Sequence, residues 1–292
     1  MNKIRIQYYM KKTKDVVGGL GEIGMPILKL LSKTNSTVGY DVNPKLQNKK
    51  QFEKLKGVET SFLHICIPFT NEFITNVKTL FKKFQPQAIV IHSTIEPSTT
   101  KKLQSILHVP IIYSATRGVH KRMISDLKKY TKFYSVYTWA PKSKWASQEF
   151  ASKMKKAGIK TKKMSNPLTL EIAKIVVDTS YYGWLINFAQ LSKMIAIKNK
   201  IDYDEMWSFA DEIHKNLGNR PKMFPGFIGG HCVIPNLDLI NEDSLFQIDK
   251  INNMYARKVK NSKLIRLKYD KSKKTSYDFK ILKKRKNKSK SS

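Results

Sequence analysis

The chain has 292 residues and a formal net charge of +33, from 55 Lys and Arg against 22 Asp and Glu, and 41% of its residues are hydrophobic. That apolar fraction suits about two globular domains and excludes a wholly disordered chain, while two cysteines far apart, Cys66 and Cys232, exclude a disulfide framework. Charges interrupt every apolar stretch before the ~18 residues of a membrane span, and the N-terminus has no signal-peptide pattern, so a soluble cytoplasmic protein is expected.

In chain order, Asp15, Val16 and Val17 read as a short strand, and Gly19, Gly21 and Gly24 follow with G-x-G-x-x-G spacing. The first glycine allows a tight turn, the second lets backbone approach a pyrophosphate, and the third lets a helix pack on the strand. Ile27, Leu28, Leu30 and Leu31 supply the apolar stripe of that helix, and its N-terminus at Glu22 and Ile23 offers unpaired N–H groups to phosphate. Strand Thr37 to Tyr40 ends at Asp41, seventeen residues after Gly24, where a carboxylate accepts from ribose hydroxyls and repels a 2′-phosphate. NAD is therefore expected over NADP. The cofactor site is expected to comprise Gly19, Leu20, Gly21, Glu22, Ile23, Gly24 and Asp41, joined by Pro68, Ser93 and Thr94 from later turns.

Next come the run SFLHICIPF, an amphipathic stretch from Ile74 to Phe84, the run AIVIHST, and a helix over Ser98 to Leu107. Strands at Val109 to Tyr113 and Phe133 to Tyr137 and helices at Lys121 to Lys129 and Lys144 to Lys156 complete the alternation. It predicts an α/β fold, a Rossmann-like doubly wound parallel sheet occupying residues 1–163. Cys66 reads as strand core. His64 and His92 lie on strands without metal-ligand spacing, so no metal is expected.

From Pro167 to about residue 199 the sequence is one long helical pattern with too many apolar residues for a helix exposed on one side. It opens a helical central domain, residues 164–250, with Tyr181, Tyr182, Trp184 and Phe188 as candidate packing for a homodimer or between domains. A second helix is predicted at Tyr203 to Leu217. Residues 251–292, with sixteen basic against two acidic residues, read as a basic tail, disordered after about 270 and suited to weak, nonspecific polyanion binding.

The loop PGFIGGHCVIPN places Cys232 beside His231, where Gly229 and Gly230 leave room for a ligand. With the glycine fingerprint and its Asp, the ICIP strand, the HST turn holding Ser93 and Thr94, and Ala173 and Lys174 on the long helix, the chain resembles the UDP-glucose/GDP-mannose dehydrogenase family over roughly residues 15 to 240. The resemblance implies two successive hydride transfers from a sugar C6 hydroxyl to NAD. Cys232 would hold the intermediate first as a thiohemiacetal and then as a thioester, which water opens to the carboxylate. Lys174 takes the position of the lysine that stabilises the oxyanion, and Thr94 that of a threonine positioning water. Arg117, Arg220, Gly229, Gly230, His231 and Asn236 are the corresponding substrate-site candidates, for a nucleotide sugar. Simpler readings remain: a solvated helix lysine for Lys174 and a small buried loop residue for Cys232.

Several positions depart from the family pattern. Asp178 stands where an asparagine is usual, one helical step from Lys174, and Asn236 stands where an aspartate is usual. The carboxylate-bearing segment aligns with SATRGVHKRMISDL, which puts Thr116 and His120 where glutamate is expected. His120 is then the substitute base, or else a surface imidazole. About fifty mostly basic residues follow the cysteine loop, where family members continue into a further α/β domain. Two alternatives follow: a two-electron 3-hydroxyacid-type dehydrogenase, or a binding protein that keeps NAD without turnover.

Overall fold

A computed structural model describes residues 12–217, 225–229, 233–240, 243 and 245–261. The chain forms two compact units, residues 1–174 and 175–292.

The first unit is built on a seven-stranded sheet: β1 (Thr13–Gly18), β2 (Thr37–Tyr40), β3 (Glu59–Ile65), β4 (Ala88–Ile91), β5 (Ile111–Tyr113), β6 (Lys132–Val136) and β7 (Thr161–Lys163). Their order in the sheet is β2-β1-β3-β4-β5-β6-β7, parallel throughout except that β6 runs antiparallel to β5. Central strands are buried on both sides, as near-continuous apolar runs require. Val17, Phe62, Val90 and Ile112 face one layer, built from α1 (Gly24–Leu31), α5 (Met123–Lys129) and α6 (Ser143–Lys156). Val16, Leu63, Ile89 and Ile111 face the other, which includes α3 (Phe73–Phe84) and α4 (Thr99–Gln104). On α3, Phe73, Val77 and Leu80 recur at helical spacing and are buried, and the helix stops at Gln85 in a left-handed conformation. A short α2 (Lys49–Lys54), capped by the Asn48 side chain, follows β2.

The first unit extends beyond 163 because α7 (Pro167–Ala173) belongs to it. Asn166 caps this helix by accepting from the Leu168 N–H at 2.8 Å, and Pro167 occupies its first turn. Leu170 enters the sheet core, and the wholly buried Glu171 accepts from the backbone N–H groups of Ser98 at 2.6 Å and Thr100 at 2.9 Å. Ser98 gives α4 no side-chain cap of its own, so Glu171 satisfies donors that would otherwise be orphaned.

After α7 the helix continues with π-helical hydrogen bonding over Lys174–Ser180, then as α8 (Tyr181–Asn199). The second unit adds α9 (Tyr203–Leu217), α10 (Ile234–Ile240) and α11 (Gln247–Asn261). The last of these corrects the expectation of a tail starting at 251. Ile248, Asn252 and Tyr255 are buried, so the helix through Asn261 is part of the folded unit. The predicted disorder after about 270 lies outside the described residues. Among the described residues no helix is long and apolar enough to cross a membrane.

Candidate functional site

The glycine turn follows β1 at the carboxyl ends of the parallel strands, where β2 lies on one side of β1 and β3 on the other, the reversal of strand order at which doubly wound sheets take ligands. Gly19 has φ +88°, and a Cβ there would lie 2.9 Å from the Cys66 backbone. A Cβ on Gly24 would lie 1.7 Å from the Gly19 carbonyl oxygen, so only glycine lets α1 start against the turn. At Gly21 a Cβ would meet nothing within 4 Å, which leaves a face open to an incoming pyrophosphate. The Gly21 carbonyl already accepts the Met25 N–H at 3.1 Å, and Ile23 is the N-cap without a side-chain acceptor of its own.

Asp41 closes this cradle. Its Oδ2 accepts from the Leu20 N–H at 2.7 Å and its Oδ1 from the Asn43 N–H at 2.8 Å. A carboxylate has about four lone-pair sites, so both oxygens keep capacity for a ribose hydroxyl. Ser93 is buried and donates to the Ile67 carbonyl at 2.5 Å, which ties the HST turn to the end of β3. Thr94 is half-buried beside it, and Pro68 is exposed. These residues fit a dinucleotide: an open glycine, the N-terminus of α1 and a carboxylate at the end of β2.

The substitute-base candidate, His120, neighbours the glycine turn. His120 Nδ1 lies 2.6 Å from Glu22 Oε2, which joins the 114–122 loop to the glycine turn. Arg117 donates to the Thr131 carbonyl at 2.7 Å and lies over the Phe133 ring, so its guanidinium is braced against β6. Asp126 accepts from the Val119 N–H at 2.8 Å and from Arg122 Nε at 3.1 Å, and it shapes this loop. Lys174 and Asp178 both lie in the π-helical stretch and are half-buried.

Gly229 is exposed, and Asn236 is buried near the start of α10. Arg220, Gly230, His231 and Cys232 lie outside the described residues. Flanking Cys232, Ile228 and Val233 are both buried in one apolar cluster with Leu237 and Ile248.

A buried polar seam under the cradle escaped sequence reading. His64 Nδ1 lies 2.9 Å from His92 Nε2 with the rings stacked, and the outer ring nitrogens have no hydrogen-bond partner. Burial, reinforced by the charges of Lys153 and Lys132, holds His64 down to about 3, and burial also holds His92 well below its ordinary value. Lys153 bridges both oxygens of the fully buried Asp15 at 3.0 and 3.1 Å. Lys132 donates to the carbonyls of Ser114 at 2.8 Å and Ala115 at 3.4 Å and to Thr116 Oγ1 at 3.2 Å. Burial above all, with the nearby Arg117 and Lys174 charges, pushes its amine down to about 7. A lysine at the start of a strand reads as a solvent-facing edge residue, and no local pattern distinguishes this one. Burial similarly pushes the Cys66 thiol up to about 12, in keeping with a core role. Among the described residues no group of three or more His, Cys, Asp or Glu could hold a metal ion.

Sheet order and glycine turn together define a Rossmann-like fold that resembles that of NAD-dependent dehydrogenases. Neither a protein-family model nor a curated protein matches the sequence. Solved structures do match. The UDP-D-ManNAc dehydrogenase of Pyrococcus horikoshii shares 19% identity at a TM-score of 0.69, covering 85% of this chain and 70% of that one. The UDP-N-acetyl-mannosamine dehydrogenase of Staphylococcus aureus shares 20% at 0.64, with 85% and 69% covered. The 3-hydroxyisobutyrate dehydrogenase of Mycobacterium tuberculosis shares 15% at 0.60, covering 86% of this chain and 94% of that one. The chain thus has the fold of the nucleotide-sugar dehydrogenases, at identities that establish fold alone.

Proposed function

We propose that the chain is an NAD-dependent dehydrogenase acting on a nucleotide-linked sugar. The observation that carries this reading is the glycine cradle closed by Asp41, on a fold shared with UDP-sugar dehydrogenases. NAD, when bound, takes up the hydride removed from the alcohol carbon. Gly21 and the α1 N-terminus hold the pyrophosphate, and Asp41 binds the ribose and disfavours a 2′-phosphate. Thr94 orients water or substrate, and Lys174 offers a fixed positive donor to the oxyanion that develops at the reacting carbon. Cys232 captures the aldehyde. Hydride transfer from the thiohemiacetal to a second NAD would give the thioester, and hydrolysis would return the thiol and the carboxylate, with His120 or Asp178 taking the proton that the missing glutamate would take.

Tyr181, Tyr182 and Phe188 on α8 remain exposed in the single chain, Phe188 by 62%. We read this face as the contact of a homodimer in a cytoplasmic enzyme, and the basic tail as a salt-sensitive contact for polyanions. The decisive experiment is NADH formation with a panel of UDP- and GDP-sugars. Two NADH per sugar, with loss of acid formation in Cys232→Ser, supports the reading; none with any sugar, despite NAD binding, favours a non-catalytic binder.

A second reading has its own support, since the chain covers 94% of the 3-hydroxyisobutyrate dehydrogenase. One NADH per substrate on a 3-hydroxyacid, unaffected by Cys232→Ser, would select it.

A further inference from the structure

The loop after β5 reaches the glycine turn at one acidic side chain, where His120 Nδ1 lies 2.6 Å from Glu22 Oε2. Whichever charge the ring carries, Nδ1 is the donor, because an ionised carboxylate only accepts. With the ring protonated, the pair is neutral. The backbone that presents His120 is braced: the Thr116 N–H donates to the His92 carbonyl at 3.1 Å, the Val119 N–H to Asp126 Oδ2 at 2.8 Å and the Arg122 N–H to the Val119 carbonyl at 2.9 Å. Gly118 turns at φ +143°, and a Cβ there would lie 2.9 Å from Asp126 Cβ, so the approach to residues 120–122 requires glycine. Arg117 and Arg122 engage the Thr131 carbonyl and Asp126, whereas His120 meets the glycine turn.

Glu22 stands one residue before Ile23, the N-cap of α1, and Ile23 brings no side-chain acceptor to that end. A helix N-terminus attracts any anion through its unpaired N–H groups and its dipole. A glutamate beside it is therefore a rival of a diphosphate: it can turn to the same positive end, and its charge repels an incoming phosphate. The Glu22 side chain is 56% exposed, so packing does not fix it, and the imidazole supplies both a tether and a compensating charge.

We propose that His120 is a cofactor-positioning residue that holds the Glu22 carboxylate aside from the N-terminus of α1 and so keeps that end open to the diphosphate of NAD. The inference rests on the reading of the glycine turn as an NAD site.

Calorimetric titration of the full chain with NAD compares the parent, His120→Ala, Glu22→Gln and the double variant at low and high salt, with circular dichroism to verify folding. Both single substitutions break the same contact, so a bond that served only to tether the loop would make both weaken NAD. The proposal requires opposite signs. His120→Ala should weaken NAD about fivefold at low salt and less at high salt, because it leaves the carboxylate uncompensated. Glu22→Gln should bind NAD at least as tightly as the parent, and the double variant should return to within about twofold of it. Should His120→Ala fail to fold, Glu22→Gln carries the sign by itself, and weaker binding than the parent's overturns the proposal. Equal affinities in all four proteins, or equal weakening in both single variants, overturn the role of His120 and leave the glycine turn as the NAD site. A parent that does not bind NAD removes the reading of that site, and this inference with it.

Discussion

Acidification should destabilise the first unit through its buried histidine pair. His64, fully buried between β3 and its covering helices, is held neutral at about 3 against an ordinary 6.5. The depressed value means that the unfolded chain binds this proton more readily, so the stability it contributes is fully present above 6.5 and is lost as pH falls toward 3. At about 1.36 kcal/mol per pH unit, a fall from pH 7.5 to 4.5 removes on the order of 3 kcal/mol through His64 alone, and His92 acts in the same direction. That is a large share of the 5–15 kcal/mol that typically holds a domain together. The buried carboxyls of Asp15 and Glu171, pushed up by burial, act in the opposite sense, so the comparison is with His64→Leu/His92→Leu, in which they are unchanged. Urea unfolding at the two pH values, read by tryptophan fluorescence, gives both differences. The double variant should lose at least about 2 kcal/mol less than the parent on acidification. Equal losses in the two proteins would refute the assignment of acid sensitivity to this pair.

Gly24→Ala should destabilise the chain by about 3 kcal/mol, since its methyl meets the Gly19 carbonyl, whereas Gly21→Ala should fold normally and weaken NAD binding; thermal melts and calorimetry separate the two effects, and the reverse pattern would discard the cradle. Asp41→Ala should narrow the preference for NAD over NADP, and it should also loosen the turn because the Leu20 and Asn43 N–H groups lose their acceptor; an unchanged ratio of affinities would show that discrimination lies elsewhere. Lys132, lowered from 10.5 to about 7, makes the folded state release a proton that the unfolded chain keeps, so parent stability should rise from pH 7 to 10. Lys132→Met should flatten that rise, and a slope identical to the parent's would mean that the amine is solvated.

The sequence by itself determined the sheet and the glycine turn that follows β1. Glycine spacing, the apolar runs of β1 to β6 and the stripe on α3 are local signals, set by backbone sterics and by the two periodicities of helix and strand. Thr37 to Tyr40 and Tyr203 to Leu217 match their expected bounds. Tertiary structure alone decided which polar residues are buried and what they bond. The His64–His92 pair joins residues 28 positions apart, Lys153 reaches Asp15 across 138, and Asn252 reaches Ile228 across 24. A histidine in a strand or an asparagine in a basic helix carries the same local pattern whether it faces water or core. The first unit likewise runs past 163 because Glu171 caps α4, a contact that no periodicity encodes. Local chemistry thus wrote the elements, and the distant partners that desolvate and satisfy their polar groups were chosen only when those elements packed.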